Sequence, residues 1–270
     1  MTENSGGFHT IVCLKVVPRP EEVVVDPQTK TLDRAKARSL VNPPDLNALE
    51  MALELKEICG GSVSILSMGP PFFEPYLRLA MSLGADRAYL LSDRTFGGAD
   101  TLATTYTLAK GIQKIGKWDL ALCGEESSDG ATAQVPPGLA EWLDAAQVTY
   151  AFQMTPADQG RMRVRREVKG GWEELLVSLP AVVSVKGNVN EPRFIDFDRR
   201  RWALNDSPVT VWSAADIGAR SDLIGFPGSP TTVAGVRQVG GHERRKQFLE
   251  GTPEEIASEL ARLLKTQAKP

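Results

Sequence analysis

Short apolar runs alternate with stretches of helical periodicity along the first half of this chain. Residues 10–17 (TIVCLKVV) and 62–67 (SVSILS) are apolar and rich in β-branched side chains, as buried strands are. Residues 46–58 instead place their apolar side chains at helical spacing before Gly60 and Gly61 end the helix. The same alternation predicts a helix over 73–83, a strand over 87–92, a helix that begins after Asp100 and a strand over 118–123. It is typical of an α/β fold, a mostly parallel sheet with helices on both faces.

The second half of the chain has a different pattern. After about residue 147, short alternating runs separated by turn residues predict antiparallel additions over 147–154, 161–167 and 172–178. From residue 220 onward the chain is rich in glycine and proline, which predicts an extended arm rather than a second core. We therefore divide the chain into an α/β domain, residues 1–219, and a C-terminal arm, residues 220–270.

The arm ends in a predicted amphipathic helix. Thr252 and Glu255 have the spacing of a capping box, and the helix that follows carries an apolar stripe with Ile256, Leu260 and Leu263. Two explanations of the stripe remain open. Either it packs against the α/β domain of its own chain, or the long linker lets it reach a partner subunit, which would make association obligate.

Composition excludes several classes of function. The chain has 31 lysines and arginines against 34 aspartates and glutamates, and this net charge of −3 argues against nucleic acid or an anionic membrane as partner. The three cysteines form no C-x-x-C pair and are expected to be buried thiols. Only His9 and His242 offer imidazole, both in segments expected to be flexible, so a histidine-based metal site and a Ser-His-Asp triad are disfavoured.

The chain has no sequence mark of membrane insertion or export. No apolar run approaches the roughly 18 residues of a membrane span. The first ten residues, MTENSGGFHT, lack the basic and apolar regions of a signal peptide. We therefore expect a cytoplasmic protein.

The most informative segment is residues 123–143, CGEESSDGATAQVPPGLAEWL. A loop of small and hydroxyl-bearing residues follows a predicted strand and opens a helix, a layout that binds phosphate through backbone N–H groups and the helix N-terminus. Open α/β sheets bind ligands at this end of their strands. The competing explanation is structural, because any strand-to-helix loop favours small residues and an N-cap.

A second segment, residues 97–105 (GGADTLATT), also opens a helix after a strand. N-capping explains Asp100, whereas Thr101 and Thr104 share one helical face and could point at a ligand. The chain contains neither G-x-G-x-x-G nor G-x-x-x-x-G-K-[ST], so a bound nucleotide must be held in another way.

These two segments resemble the electron-transfer flavoprotein β subunits. The loop after Cys123 is similar to the family's Gly-x-Gln-x-x-Asp-(Gly/Asp)-x-x-x-Gln-x-Gly-Pro pattern, which wraps an adenine nucleotide. Further matches occur in one order at residues 14–18 (LKVVP), 41–43 (VNP), 83–87 (LGADR), 98–104 (GADTLAT), 164–184, 190–193 (NEPR) and 232–236 (TVAGV). The stretch 164–184 departs from the family's signature pattern at Lys169, where an acidic residue is usual.

The resemblance implies a Rossmann-like domain that holds AMP or FAD, a heterodimer with an α subunit, and a C-terminal arm that embraces this partner. It assigns cofactor contacts, most of them through the backbone, to Cys13, Asn42, Pro43, Asp45, Met68, Asp129, Gly130, Ala131, Thr132, Ala133, Gln134 and Val135. It also places Asp100, Thr101 and Thr104 near the second nucleotide.

The resemblance leaves two nucleotides open. In family members that shuttle electrons the β subunit holds AMP, and in electron-bifurcating members it holds its own FAD and accepts hydride from NADH. The stretches 98–104 and 129–135 are similar to the FAD type, whereas the AMP type usually reads Asp-Asp-Asp-Cys-Asn-Gln-Thr-Gly. We therefore favour FAD, with AMP as the alternative.

Three departures from the family pattern distinguish this chain. Pro136 stands where the family has glycine, and Glu125 and Glu126 bring negative charge near the expected phosphates. Residues 197–206 (FDRRRWALND) replace the family's partner-recognition loop, and we assign Phe197 and Trp202 to partner docking. The competing explanation for this segment is a solvated basic turn.

The working hypothesis is a β subunit that passes electrons from NADH or a dehydrogenase to the α-subunit FAD. The expected further partners are an acyl-CoA-type dehydrogenase or a quinone-linked oxidoreductase. No side chain of this chain needs to be a nucleophile or an acid–base catalyst, since the cofactor supplies the redox chemistry. The alternatives are an AMP-holding β subunit without a redox centre, and a nucleotide-binding regulator similar to the universal stress proteins.

Overall fold

A nine-stranded sheet with helices on both faces forms the body of the protein. The computed structural model describes residues 7–19, 38–158, 160–206, 209–232 and 248–267. The chain divides into two units, residues 1–236 and 237–270. The strands are β1 (Phe8–Cys13), β2 (Val16–Pro18), β3 (Ser39–Val41), β4 (Gly61–Met68), β5 (Arg87–Leu91), β6 (Leu120–Gly124), β7 (Ala146–Ala157), β8 (Arg161–Val168), β9 (Gly171–Ser178), β10 (Ala181–Val185) and β11 (Val209–Trp212). The helices are α1 (Pro43–Cys59), α2 (Glu74–Leu83), α3 (Thr101–Ile115), α4 (Val135–Leu143), α5 (Phe197–Asn205) and α6 (Pro253–Gln267).

The order of the strands reverses direction next to β1. The sheet runs β11-β5-β4-β1-β6-β10-β7-β8-β9, and β2 and β3 form a separate antiparallel pair. From β1 the chain steps outward to β4 and β5, and then returns to the other side of β1 as β6. All pairs from β11 to β7 are parallel. The predicted α/β fold with a mostly parallel sheet is therefore confirmed.

Alternate residues of the central strands pack into two separate hydrophobic cores, one on each face of the sheet. Val12 and Leu122 pack with α1 and α2 on one face of the sheet. Their neighbours Ile11 and Ala121 pack with α3 and α4 on the other face. Successive side chains of a strand point to opposite faces, so a strand covered on both sides must be apolar at every position. This requirement explains the continuous apolar runs of the sequence.

The antiparallel additions at residues 147–178 are also confirmed, with one difference. β7, β8 and β9 form a meander in which β8 pairs antiparallel with both neighbours. The first half of β7, however, pairs parallel with β10. Neither β10 nor β11 was predicted from the sequence, because each is short and pairs with strands that are distant in sequence.

The predicted strand over 10–17 is split in two. β1 ends at Cys13 and β2 begins at Val16. Between them the backbone leaves the sheet, and the N–H of Lys15 donates to a carboxylate oxygen of Asp45 at 2.7 Å. A local apolar pattern cannot reveal this break, because the partner lies 30 residues away in sequence.

Residues 197–205 of the segment 197–206 form a helix, α5, rather than the expected loop. Asp196 caps α5 by accepting the N–H of Arg199 at 2.8 Å. The Arg199 guanidinium then donates to the carbonyl of Ala85 at 2.7 Å and stacks on the Trp202 ring. Trp202 packs against the core, whereas Phe197 is 84% exposed. Of the two residues of this segment assigned to docking, Phe197 is exposed and Trp202 is partly buried.

Two sequence expectations about single residues are wrong. His9 lies in β1 rather than in a flexible segment, with Nδ1 2.7 Å from the carbonyl oxygen of Lys117 and Nε2 2.9 Å from Ser64 Oγ. Cys13 and Cys123 are buried thiols as expected, but Cys59 is only partly buried. His242 lies outside the described residues.

The beginning of the predicted arm belongs to the first unit, and its Ile224 is buried in the core beside α3 and α4. Residues 233–247, with most of the 232–236 motif, lie outside the described residues. Within the second unit, α6 opens with the predicted capping box, in which the N–H of Thr252 donates to Glu255 Oε2 at 2.8 Å. No described helix is long and apolar enough to cross a membrane.

A buried ion pair attaches the segment after β10 to α1. Arg193 makes a two-pronged contact with Glu50 through Nε and Nη2, and its backbone N–H also donates to Glu50 at 2.9 Å. The side chain of Glu50 is 8% exposed, whereas that of Glu57, which accepts from Arg193 Nη1, is 63% exposed. These contacts with Glu50 and Glu57 raise the pKa of Arg193.

The two glutamates allow a matched comparison. We expect Glu50→Gln to lower the free energy of unfolding by about 2 kcal/mol, because a charge-assisted, buried contact is lost. Glu57→Gln should change it by less than about 0.5 kcal/mol, because water screens the exposed pair. Urea denaturation of both variants checks the prediction, and equal losses would contradict it.

Candidate functional site

The sequence-predicted site residues gather where the strand order reverses. Cys13 at the end of β1 is paired in register with Cys123, one residue before the end of β6. The chain leaves β1 and β6 towards opposite sides of the sheet, which opens a crevice at the carboxyl ends of these strands. Open α/β sheets bind ligands at such a crevice. Met68, at the end of the neighbouring β4, is partly buried.

A buried carboxylate, Asp45, joins the two loops that border the crevice. Asp45 Oδ2 accepts the N–H of Lys15 at 2.7 Å, and Oδ1 accepts the N–H of Gly124 at 2.9 Å. A β-carbon on Gly124 would lie 2.5 Å from Asp45 Oδ1, so only glycine fits there. Burial raises the pKa of Asp45 to about 6 even though both N–H bonds oppose the shift. Asp45 thus positions the loops rather than facing the crevice with a free oxygen.

Asn42 holds the next part of the loop after β6. This buried side chain donates to the carbonyl of Glu126 at 2.9 Å and accepts the N–H of Ser128 at 3.2 Å. Pro43 follows as an exposed residue in the first turn of α1. The amide of Asn42 therefore tethers the loop through its backbone.

A lysine that was not among the predicted cofactor contacts touches the loop after β6 from the segment that follows β1. Lys15 Nζ is 2.5 Å from Asp129 Oδ1 and 3.0 Å from Ser127 Oγ. The position of Gly130 is also close, because a β-carbon there would lie 3.8 Å from Lys15 Nζ. The only sequence signal for Lys15 was its place in the 14–18 motif, directly after the first strand.

The backbone of this loop takes a conformation that alanine rarely adopts. Ala131 and Ala133 have φ values of 44° and 53°. A left-handed conformation costs a non-glycine residue about 1–2 kcal/mol, and such residues cluster at ligand-binding sites. Where left-handed residues alternate with residues of other conformations, successive backbone N–H groups point to the same side. Such a group of N–H donors can bind an anion. Thr132 lies between the two alanines.

The N-termini of α3 and α4 meet across the crevice. Gln134, the N-cap of α4, accepts the hydroxyl of Thr101, the first residue of α3, at 3.0 Å. Further along, Gly138 allows close packing, because its β-carbon would lie 3.0 Å from the methyl group of Thr105. Val135 is the first residue of α4, and Thr104 lies one turn into α3. Two positive helix ends are thereby brought together, which favours an anionic ligand.

Asp100 links the start of α3 to the start of the arm. Its Oδ1 accepts the N–H groups of Leu102 and Ala103 as the predicted N-cap, and its Oδ2 accepts the hydroxyl of Thr231 at 2.7 Å. Partial burial raises the pKa of Asp100, but the bonds from Thr231 and the helix N–H groups outweigh it and lower the pKa overall. The role of Thr231 had no sequence signal.

Two of the departures near the expected phosphates, Glu125 and Pro136, have structural explanations. Glu125 turns away from the loop, because its Oε1 accepts the N–H of Gly187 at 2.9 Å. Pro136 occupies the second position of α4, where no helical hydrogen bond needs its missing N–H. Neither residue removes the anion-binding character of the loop.

The buried thiols of Cys13 and Cys123 lie beneath this loop on the α3 and α4 side of the sheet. A hydrogen bond with Cys13, together with burial, raises the pKa of Cys123 well above its ordinary value. The Cys123 thiol is therefore protonated and weakly reactive. Among the described residues no group of histidine, cysteine and carboxylate side chains could hold a metal ion.

Comparison with known proteins agrees with the architecture of this site. The electron transfer flavoprotein domain matches residues 29–217, which is more than half of the chain. The chain belongs to the electron transfer flavoprotein family. The match includes the crevice loop, both facing helices and the β7–β9 meander.

Several members of the electron transfer flavoprotein family are similar over most of their length. The electron transfer flavoprotein subunit beta of Clostridium acetobutylicum is 42% identical over 226 residues, 84% of this chain and 86% of the relative. The caffeyl-CoA reductase-Etf complex subunit CarD of Acetobacterium woodii is 42% identical over 224 residues, 83% and 85% of the two chains. Protein FixA of Azotobacter vinelandii is 38% identical over 269 residues, 96% and 95% of the two chains.

The raised pKa of Asp45 makes stability depend on pH. The unfolded carboxyl titrates near 3.8 and the folded one near 6. Between these values the folded protein binds this proton more tightly, so the free energy of unfolding falls as pH rises, at most by about 1.4 kcal/mol per pH unit. The Asp45→Asn variant has no carboxyl to ionise at this position. Its free energy of unfolding should therefore lack the part of the pH dependence that Asp45 contributes.

Chemical denaturation between pH 4 and pH 7 measures the effect. Asp144→Asn is the matched control, because Asp144 is exposed and its left-handed backbone suits asparagine equally well. The control should keep the slope of the unsubstituted protein. An unchanged slope in Asp45→Asn would show that this carboxyl ionises normally.

Proposed function

We propose that this chain is the β-type subunit of a heterodimeric electron-transfer flavoprotein and that it holds FAD across the facing ends of α3 and α4. The contact of Thr101 with Gln134 at 3.0 Å carries the proposal. It joins the two separate sequence segments that resemble the FAD-type β subunits, residues 98–104 and 129–135. A nucleotide held by both segments can be longer than one held by either alone.

The charge and backbone of the site fit a pyrophosphate. The left-handed backbone at Ala131 and Ala133 turns N–H groups of the loop towards one side, which can bind phosphate oxygens. The N-termini of α3 and α4 meet beside this loop and add positive helix ends. Lys15 adds a side-chain cation, although Asp129 is its present partner. Because Glu125 is bonded elsewhere, its carboxylate does not oppose a phosphate from within the loop.

The residues of this chain bind and orient the cofactor and do not react themselves. FAD, when bound, supplies hydride acceptance and one-electron transfer. Asp45 and Asn42 hold the loops in place, and the apolar residues beneath the loop exclude water from that side. The buried, protonated Cys123 is not a nucleophile. In this proposal no described side chain of the crevice forms a covalent bond with the ligand.

The proposal includes electron partners. An α-type subunit carries the second FAD, electrons enter from NADH or a dehydrogenase, and they leave to an acyl-CoA-type dehydrogenase or a quinone-linked oxidoreductase. The similar protein CarD is named as a subunit of a caffeyl-CoA reductase-Etf complex. Two apolar features of this chain suit partners. One is the exposed Phe197 at the start of α5, and the other is the α6 stripe, in which Leu260 is exposed and Ile256 and Leu263 are partly exposed. Trp202 contributes indirectly, by packing α5 against the core.

The nucleotide content of the purified complex tests the proposal. The chain is co-produced with its α-type subunit, the complex is denatured, and the released nucleotides are separated and counted. We expect one FAD for each chain of the heterodimer. One FAD with one AMP would replace the FAD proposal by the AMP alternative, and the absence of any adenine nucleotide in this chain would overturn both.

The left-handed loop allows a more local test. Ala133→Gly accepts the positive φ and should keep the nucleotide content of the complex. Ala133→Val should lower the nucleotide content and destabilise the protein by at least about 1–2 kcal/mol, because a β-branched residue is strained at this φ. Equal nucleotide content in the two variants would show that this loop does not hold the ligand.

A further inference from the structure

Lys15 is held both at its backbone and at the end of its side chain. Its backbone N–H donates to Asp45 Oδ2 at 2.7 Å, and Asp45 belongs to the first turn of α1. Its side-chain Nζ lies 2.5 Å from Asp129 Oδ1 and 3.0 Å from Ser127 Oγ, both in the loop after β6. Lys15 therefore connects the start of α1 to the loop that is expected to hold the phosphates.

The ammonium group of Lys15 lies against a turn of this loop. The N–H groups of Gly130 and Ala131 donate to the carbonyl of Ser127 at 3.2 and 2.8 Å, which closes a turn over residues 127–131. A β-carbon on Gly130 would lie 3.2 Å from Ser127 Oγ and 3.8 Å from Lys15 Nζ, so both groups are close to the turn. The Asp129 side chain is 9% exposed, whereas that of Lys15 is 47% exposed. The lysine thus reaches a mostly buried carboxylate from the solvent side.

This turn leads directly into the left-handed part of the loop. Ala131, whose N–H closes the turn, has a φ of 44°, and Ala133 has a φ of 53°. Such a backbone persists only where the surrounding contacts over-determine it. Lys15 supplies contacts of this kind, together with Asn42, whose amide bonds the backbone of the same loop. The orientation of the loop N–H groups therefore depends on side chains outside the loop.

The neighbouring helix ends contribute their dipoles but offer few N–H groups to a phosphate. Asp100 Oδ1 already accepts the N–H groups of Leu102 and Ala103 in the first turn of α3. The first turn of α4 contains Pro136 and Pro137, which have no N–H. A phosphate at this site must therefore find most of its hydrogen-bond donors in the loop, and it depends on the contacts that hold the loop in shape.

We propose that Lys15 is a positioning residue of the nucleotide site, which holds the turn at Asp129 and Ser127 and so directs the loop N–H groups at a phosphate. The inference rests on the proposed function. Lys15 acts through the loop and keeps Asp129 as its partner when the nucleotide is bound. Moving the ammonium group onto a phosphate would withdraw it from a mostly buried carboxylate, which is unfavourable.

Two ligands that differ only in their phosphates test this role in the nucleotide-free heterodimer. ADP carries the adenosine and the pyrophosphate of FAD, whereas adenosine has no phosphate. Lys15→Met should raise the dissociation constant of ADP by about tenfold and leave that of adenosine within about twofold, because only ADP uses the loop N–H groups. Lys117→Met is the matched control, since Lys117 is exposed and lies before β6, at the opposite end of this strand. Both of its dissociation constants should stay unchanged.

Asp129→Asn separates positioning from direct binding of the phosphate. We expect this variant to lose about as much ADP affinity as Lys15→Met, and the double variant to lose no more than either single one, because the two residues act as a unit. Tighter binding of ADP by Asp129→Asn would overturn the proposal, since the released ammonium group would then bind the phosphate itself. Equal losses of ADP and adenosine affinity in Lys15→Met would also overturn it, because they would indicate a general loss of structure.

Hydrogen–deuterium exchange measures the loop without any ligand. Amides of residues 125–135 should exchange about tenfold faster in Lys15→Met, and those of the β7–β9 meander should exchange as in the unsubstituted protein. An unchanged exchange rate of residues 125–135 would show that Lys15 does not hold the turn.

The unsubstituted heterodimer separates this inference from the proposed function. A heterodimer that binds neither ADP nor FAD refutes the proposed function and, with it, any role of Lys15 towards a nucleotide. A heterodimer that binds ADP equally well with and without Lys15 refutes only the positioning role.

Discussion

The contact of one buried carboxylate with two backbone N–H groups determines how the crevice is built. Asp45, in α1, accepts the backbone N–H of Lys15 after β1 and that of Gly124 at the end of β6. One side chain of α1 therefore fixes the ends of the two strands between which the strand order reverses. A charge can stay in the interior only when its hydrogen-bonding needs are met, and Asp45 meets them with donors that the strand ends would otherwise leave unpaired. This arrangement requires glycine at position 124, because a β-carbon there would collide with the Asp45 carboxylate.

The direction in which the chain leaves β6 then sets the chemistry of the site. The loop passes through two left-handed alanines to the start of α4, which lies against the start of α3. The site therefore presents N–H groups and helix ends rather than nucleophiles or acid–base pairs. Such a site suits an anionic ligand, and it agrees with a chain that has only two histidines. Asp100 connects the same helix end to Thr231, so the arm begins beside the crevice.

Much of the α/β layout was predictable, because it follows from local patterns. The helix predicted over 46–58, the helix after Asp100 and the three antiparallel strands have sequence periods that match their burial. Strands β1, β4, β5 and β6 have apolar runs that match burial on both faces. Strands β10 and β11, the break at Leu14 and Lys15, and helix α5 were not predicted or were predicted wrongly. Each depends on a distant partner: Asp45 for the break, and the carbonyl of Ala85 with the core around Trp202 for α5.

The sequence by itself determined the fold class, the family resemblance and the segments that line the crevice, because residue type and spacing encode them directly. Only the tertiary structure decided what each side chain does there. It assigned Asp45 and Asn42 to holding loops, turned Glu125 away, added Lys15, and brought Thr101 to Gln134. These roles depend on hydrogen bonds between residues far apart in sequence, and the directions of such bonds exist only once the chain has folded.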